Sequence, residues 1–198
     1  MRAALYLFIG LMFALYPALR PYSEEVGSAG ADAFASASWV LSHTFAMLGF
    51  IALGLAVLYG GRRSDLAVIT TWVGVGLVLP YYGAETFALH ALGVEAAANA
   101  NPGLIDLADP IRYSLVQSVM FGFGLVLIAV GLVMFALRNR YAMVLAIGFV
   151  LFLPQFYTPL AARIAHGLLI AVGAILAARA VAGSSIRPDQ PISTITGA

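Results

Sequence analysis

Six apolar stretches, at residues 3–19, 35–59, 66–82, 113–137, 141–156 and 159–181, constrain this chain more than any other feature in it. At about 1.5 Å of rise per residue, each covers most of a ~30 Å hydrocarbon core as a helix. Lipid offers no hydrogen-bond partner to backbone groups, so apolar runs of this length read as membrane-spanning helices, whose backbone groups are satisfied within each run. The expected fold is therefore all-α: a polytopic membrane protein with a bundle of six transmembrane helices. Composition agrees, since only 10% of the 198 residues are charged, against about a quarter in a soluble domain. The first run has the length of a signal peptide but no small-residue cleavage site, so it reads as a retained first helix.

The chain has no lysine, and its arginines divide unequally between the two sides of this layout. Arg2, Arg62, Arg63, Arg138, Arg140, Arg179 and Arg187 fall on one side, and Arg20, Arg112 and Arg163 on the other. The positive-inside rule then places both termini in the cytoplasm, with the chain in a plasma or bacterial inner membrane. The acids Glu24, Glu25, Asp32, Glu85, Glu95, Asp106 and Asp109 all fall outside, in agreement. The six spans form one domain over residues 1–182. Residues 183–198, polar and proline-bearing, read as a disordered cytoplasmic tail. Of the two outer connections, 20–32 reads as a polar loop. The longer one, 83–112, contains an alanine-rich stretch at 84–99 with Phe87, Ala91 and Val94 on one helical face. That stretch predicts one short extracytoplasmic helix.

Several chemistries are excluded at once. Without cysteine there is no disulfide, thiolate zinc site or c-type haem attachment, and without lysine no Schiff base. A net charge of +1 gives no reason to expect a nucleic-acid partner. The three histidines, His43, His90 and His166, all map to the outer end of the bundle, and histidine in lipid is costly without a partner. Helical rise puts His43 and His166 at matched depth, roughly 10 Å below the outer boundary. Ser42 flanks the first, and Arg163 lies one turn outward of the second on the same helix face. Gln117, Gln155 and Tyr157 lie at similar depth, and Trp39, Trp72, Tyr81, Tyr82 and Phe156 supply aromatic surroundings. Glu85 and His90, five residues apart, point in different directions if their segment is a regular helix. The cytoplasmic halves carry no ionisable residue, so the polar zone reads as a cup open outward.

Three functions follow from this cup. In the first, His43, His166 and His90 hold a divalent zinc, copper or iron ion, with Glu85 and Arg163 as catalytic groups acting on a lipid-like substrate and Ser42, Gln117, Gln155 and Tyr157 binding it. This arrangement is superficially similar to the three-histidine site of the seven-helix hydrolases of the alkaline-ceramidase and progestin/adipoQ-receptor group. The chain departs from that group in having six spans, no HxxxH pair in the last, and no Asp deep in a span. In the second, His43 and His166 are axial ligands of haem b in an electron-transfer protein. The third is non-catalytic: an accessory subunit, or a binder of a lipid or isoprenoid. The expected partners are membrane lipids, an amphipathic ligand, and further copies or subunits of a membrane complex.

Overall fold

The computed structural model describes residues 1–61 and 65–184. Arg62, Arg63 and Arg187, together with nearly all of the expected polar tail, lie outside the described residues. The described residues are helical without a strand, and six helical segments are long and apolar enough to cross a membrane: Arg2–Leu19, Ala37–Gly60, Leu66–Ala98, Leu115–Arg138, Arg140–Tyr157 and Leu160–Gly183. The protein is an all-α, polytopic membrane bundle, as the apolar pattern predicts.

The first span is α1 (Arg2–Leu19), and α2 (Gly27–Ala35) follows it in the first connection. The second span is α3 (Ala37–Gly60), started by Ser36, whose hydroxyl accepts from the Trp39 amide at 3.2 Å. Asp65 caps α4 (Leu66–Gly83) in the same way through Ala67. The chain then runs through a π-helical turn (Ala84–Ala88) into α5 (Leu89–Ala98), a 3₁₀ turn (Pro102–Leu107) and α6 (Ala108–Tyr113). The remaining spans are α7 (Leu115–Arg138), α8 (Met143–Val150) with a 3₁₀ turn at Pro154–Tyr157, and α9 (Leu160–Ser184).

Helices in lipid gain little from hydrophobicity alone, so they associate where small residues let backbones approach. The α4–α7 contact shows why. A methyl group on Gly74 would lie 2.6 Å from the carbonyl oxygen of Gly124, and one on Gly124 would lie 2.9 Å from that of Gly74. Inside the bundle, Phe13, Phe50, Phe149 and Phe152 pack edge-to-face and stacked, with centroids 5.0–6.1 Å apart. At the far end Asp65 pairs with Arg138, joining the α3–α4 connection to the end of α7, and Tyr6 of α1 packs on Tyr141.

The other end carries a cap larger than the single helix expected. Here α2, α5, the Pro102–Leu107 turn and α6 build a second small core from Phe34, Leu89, Ala96, Ile105 and Ala108, closed from below by Trp39 of α3. The expectation of a polar loop at 20–32 is corrected: α2 begins at Gly27. Gly27 and Gly30 lower its helix propensity, but packing supplies what propensity lacks. Phe34 is fully buried, and Gly93 of α5 presses against Phe34 and the backbone of Ala31 and Ala35. Pro80 and Gly83 do not break the helix: it continues through both and accommodates the disturbance as a π turn. The Pro102–Leu107 turn and the Asn139–Tyr141 connection lie at opposite ends of the bundle. Since the chain has no cysteine, single replacements Asn101→Cys and Asn139→Cys should react with an impermeant maleimide from opposite sides of the membrane. Labelling from the same side would contradict the six-span path.

Candidate functional site

Where the cap meets the bundle, four charged side chains form a continuous chain. Arg20, at the end of α1, donates to Glu25 at 2.6 Å, and Glu25 accepts from Arg112 of α6 at 2.5 Å through its other oxygen. Arg112 in turn donates to Glu85 at 2.9 Å. Glu85 and Arg112 are only 2% and 4% exposed, so each charge relies on its charged partners far more than on bulk solvent. Burial opposes the Arg112 charge, but Glu85 and Glu25 outweigh it and hold the guanidinium more basic than usual. Aromatic faces complete the enclosure: Trp39 lies beneath both guanidiniums, 5.2 Å from Arg20 and 5.4 Å from Arg112, and Phe34 lies 5.1 Å from Arg112.

The π turn aims Glu85 inward. Such a turn disrupts the regular hydrogen-bond ladder, and here the Glu85 carbonyl accepts from the Trp39 indole at 2.7 Å. The Glu85 carboxylate faces His43, whose Nε2 is 3.7 Å from Oε2, beyond hydrogen-bond range. His43 Nδ1 lies 2.8 Å from the Trp39 carbonyl, which can only accept, so Nδ1 carries a proton and Nε2 is the ring's basic nitrogen. A proton arriving on Nε2 would meet the Glu85 carboxylate. The arrangement therefore supplies a proton acceptor with an anion beside it.

These groups line a cavity of about 590 Å³, within the range of small-molecule sites. Arg20, Glu25, His43, Glu85 and Arg112 form its polar wall, with Tyr16 and Tyr81, and Arg163 lines the cavity beside Phe156. On the other side stand Tyr113, Ser118, Phe121 and Gly122, facing Leu153, Phe156 and Tyr157. Tyr113 and Tyr157 are 61% and 88% exposed, which marks this side as the mouth. Arg163 Nε and Nη2 donate to the carbonyls of Thr158 and Phe156, at 3.0 and 2.6 Å.

The structure brings together His43, Glu85, Arg163 and Tyr157 from the sequence-derived candidates, but it does not gather the three histidines. His90 Nδ1 is 2.8 Å from the Phe34 carbonyl, within the cap, and His166 Nε2 is 2.7 Å from that of Gly148, on the α8–α9 contact. His166 lines a separate groove with Leu151, Pro154, Gln155 and Ala162. Among the described residues no group of three or more His, Asp or Glu is placed to hold a metal ion. Neither the three-histidine metal site nor a haem held between His43 and His166 gains support from this geometry. Ser42 turns back onto the Trp39 carbonyl and His43 Nδ1, and Gln155 lies in the His166 groove. Gln117 is outside the cavity lining, where its neighbour Ser118 stands instead. Trp72 packs on Gly54 of α3 rather than near the site.

The residues that sequence reasoning missed are Arg20, Glu25 and Arg112, which it read only as indicators of topology. A usable signal was present, since three arginines and two glutamates adjoin span ends on the side otherwise poor in arginine. Comparison with protein-family models, curated proteins and solved structures finds no match to this chain.

Proposed function

We propose that this protein binds an amphipathic, lipid-like ligand, taking its polar head into the cavity sideways from one leaflet and leaving its apolar chain between α7 and the Pro154–Tyr157 turn. The observation that carries this reading is the asymmetry of the cavity. One wall is charged and buried under the cap, whereas the mouth is made of Tyr113, Phe121, Gly122, Leu153, Phe156 and Tyr157. A head that needs polar partners and a tail that needs hydrocarbon are both served only by such a site. His43 and Glu85 lie where a bound head would exchange a proton, so any chemistry on the ligand falls to them, and Arg163 fixes the head in place. The arginine asymmetry puts the cap on the extracytoplasmic side of a plasma or bacterial inner membrane, with both termini in the cytoplasm. Asn101→Cys is accordingly the variant labelled from outside.

Gly122 provides a direct test, because a Cβ added there meets no atom of the surrounding protein within 4 Å and a longer side chain starts out into open space. Gly122→Phe should therefore fill the mouth while leaving the melting temperature of the ligand-free protein close to that of the wild type. Hexadecanoic acid and hexadecanol, each carrying a diazirine in the chain, serve as probes in membranes. In the wild type, crosslinks are expected to concentrate on the first turns of α7 and on residues 153–157, and Gly122→Phe should remove them. Crosslinks spread evenly over the lipid-facing helices, or unchanged in the variant, would retire the reading.

A further inference from the structure

We infer that the ligand's head is an oxyanion of single negative charge, a carboxylate or phosphodiester, held by Arg163 at the mouth side of the cavity; this rests on the lipid-binding reading above. The charges lining the cavity do not cancel. Three guanidiniums, Arg20, Arg112 and Arg163, face two carboxylates, Glu25 and Glu85. Both carboxylates are already engaged: Glu25 uses its two oxygens on Arg20 and Arg112, and Glu85 pairs with Arg112 beside His43. Arg163 is the remaining cation, and among the described residues no carboxylate lies within ion-pair distance of it.

Its guanidinium is nevertheless held in place. The carbonyls of Phe156 and Thr158 take Nη2 and Nε, which orients the planar fork without neutralising it and leaves Nη1 for a ligand. A fixed, uncompensated guanidinium in a partly buried site favours an anionic oxygen over a neutral one, and a cation least of all. Ser118 lines the same cavity from α7 and supplies a hydroxyl donor to the same head. Next to it, the open space at Gly122 and the apolar surface of Phe121 and Leu153 receive the first carbons of the chain. Two negative charges would exceed the single unmatched guanidinium and meet Glu25 and Glu85 across the cavity.

The test uses the full chain held in an amphipathic polymer, and C12 probes below their micellar concentrations. Dodecanoate and dodecyl methyl phosphate are compared with neutral dodecanol and cationic dodecyltrimethylammonium. Acetate and inorganic phosphate represent a free anion. The two anionic amphiphiles should bind at least ~10-fold more tightly than the neutral and cationic ones, as expected from one charge-assisted hydrogen-bond site. Arg163→Gln should erase that preference, whereas Arg163→Lys should keep part of it. Wild-type selectivity is itself a readout, so the inference remains testable even if Arg163→Gln proves unstable. Equal binding of dodecanol and dodecanoate, or unchanged selectivity in Arg163→Gln, overturns the oxyanion inference and leaves the lipid reading standing if Gly122→Phe still blocks all C12 probes. Acetate or phosphate binding as tightly as the C12 anions, with Gly122→Phe without effect, overturns the lipid reading and the inference built on it.

Discussion

Arg112→Met is expected to destabilise the protein by about 3–5 kcal/mol, the range for breaking a buried ion pair by removing one partner. Arg112 is the shared cation of the network, bonded to both Glu25 and Glu85. Without it Glu25 keeps Arg20, but Glu85, 2% exposed, loses its only ion-paired guanidinium among the described residues and is left with His43, 3.7 Å away, and the Tyr81 hydroxyl. Removing the opposite partner should cost less, because in Glu85→Gln the guanidinium retains Glu25 and the amide oxygen still accepts a hydrogen bond. The double variant Arg112→Met/Glu85→Gln should recover a substantial part of the loss, since no buried carboxylate then lacks its cation. Thermal unfolding of the three variants in one detergent measures the order. If Arg112→Met proves no worse than Glu85→Gln, Arg112 is not the organising charge.

Residue counting along a span speaks only to depth, and it leaves the direction of each side chain open. Counting residues along an apolar run places His43 and His166 at one level, but helical rise says nothing about which neighbour each ring faces. Packing decides that: α9 lies against α8, so His166 bonds the Gly148 carbonyl, whereas His43 faces Glu85. The pairing of Glu25 with Arg112 spans 87 positions and depends on the cap, which low helix propensity around Gly27 and Gly30 concealed. Glu85 stands out in the sequence as an ionisable residue beside a span, but its aim depends on the π turn, which regular helical steps do not contain. By contrast, the six spans were legible because lipid leaves a long apolar run so few alternatives.

The approach of α4 to α7 positions two walls of the cavity, and Gly74 lies in that contact. Gly74→Ala is expected to destabilise the protein by an amount at or above the upper end of the ~1–3 kcal/mol typical of overpacking. The new methyl group would meet the Gly124 carbonyl at 2.6 Å and the Ile128 amide nitrogen at 2.8 Å, both backbone atoms that no side-chain rotation can relieve. The helices must therefore separate. Gly76, two residues along the same helix, is the control, because a methyl group there meets nothing within 4 Å. Gly76→Ala should be neutral or stabilising by up to ~1 kcal/mol through helix propensity alone. A change common to both variants would assign the effect to propensity rather than to interhelical approach. The consequence should reach the ligand site as well, since α4 and its π turn carry Tyr81 and Glu85 while α7 carries Ser118, Phe121 and Gly122. Tyr81 and Phe121 stack across that contact with centroids 4.0 Å apart. Parting the two helices at Gly74 should therefore loosen this stack and weaken amphiphile binding in Gly74→Ala, with Gly76→Ala binding as the wild type does.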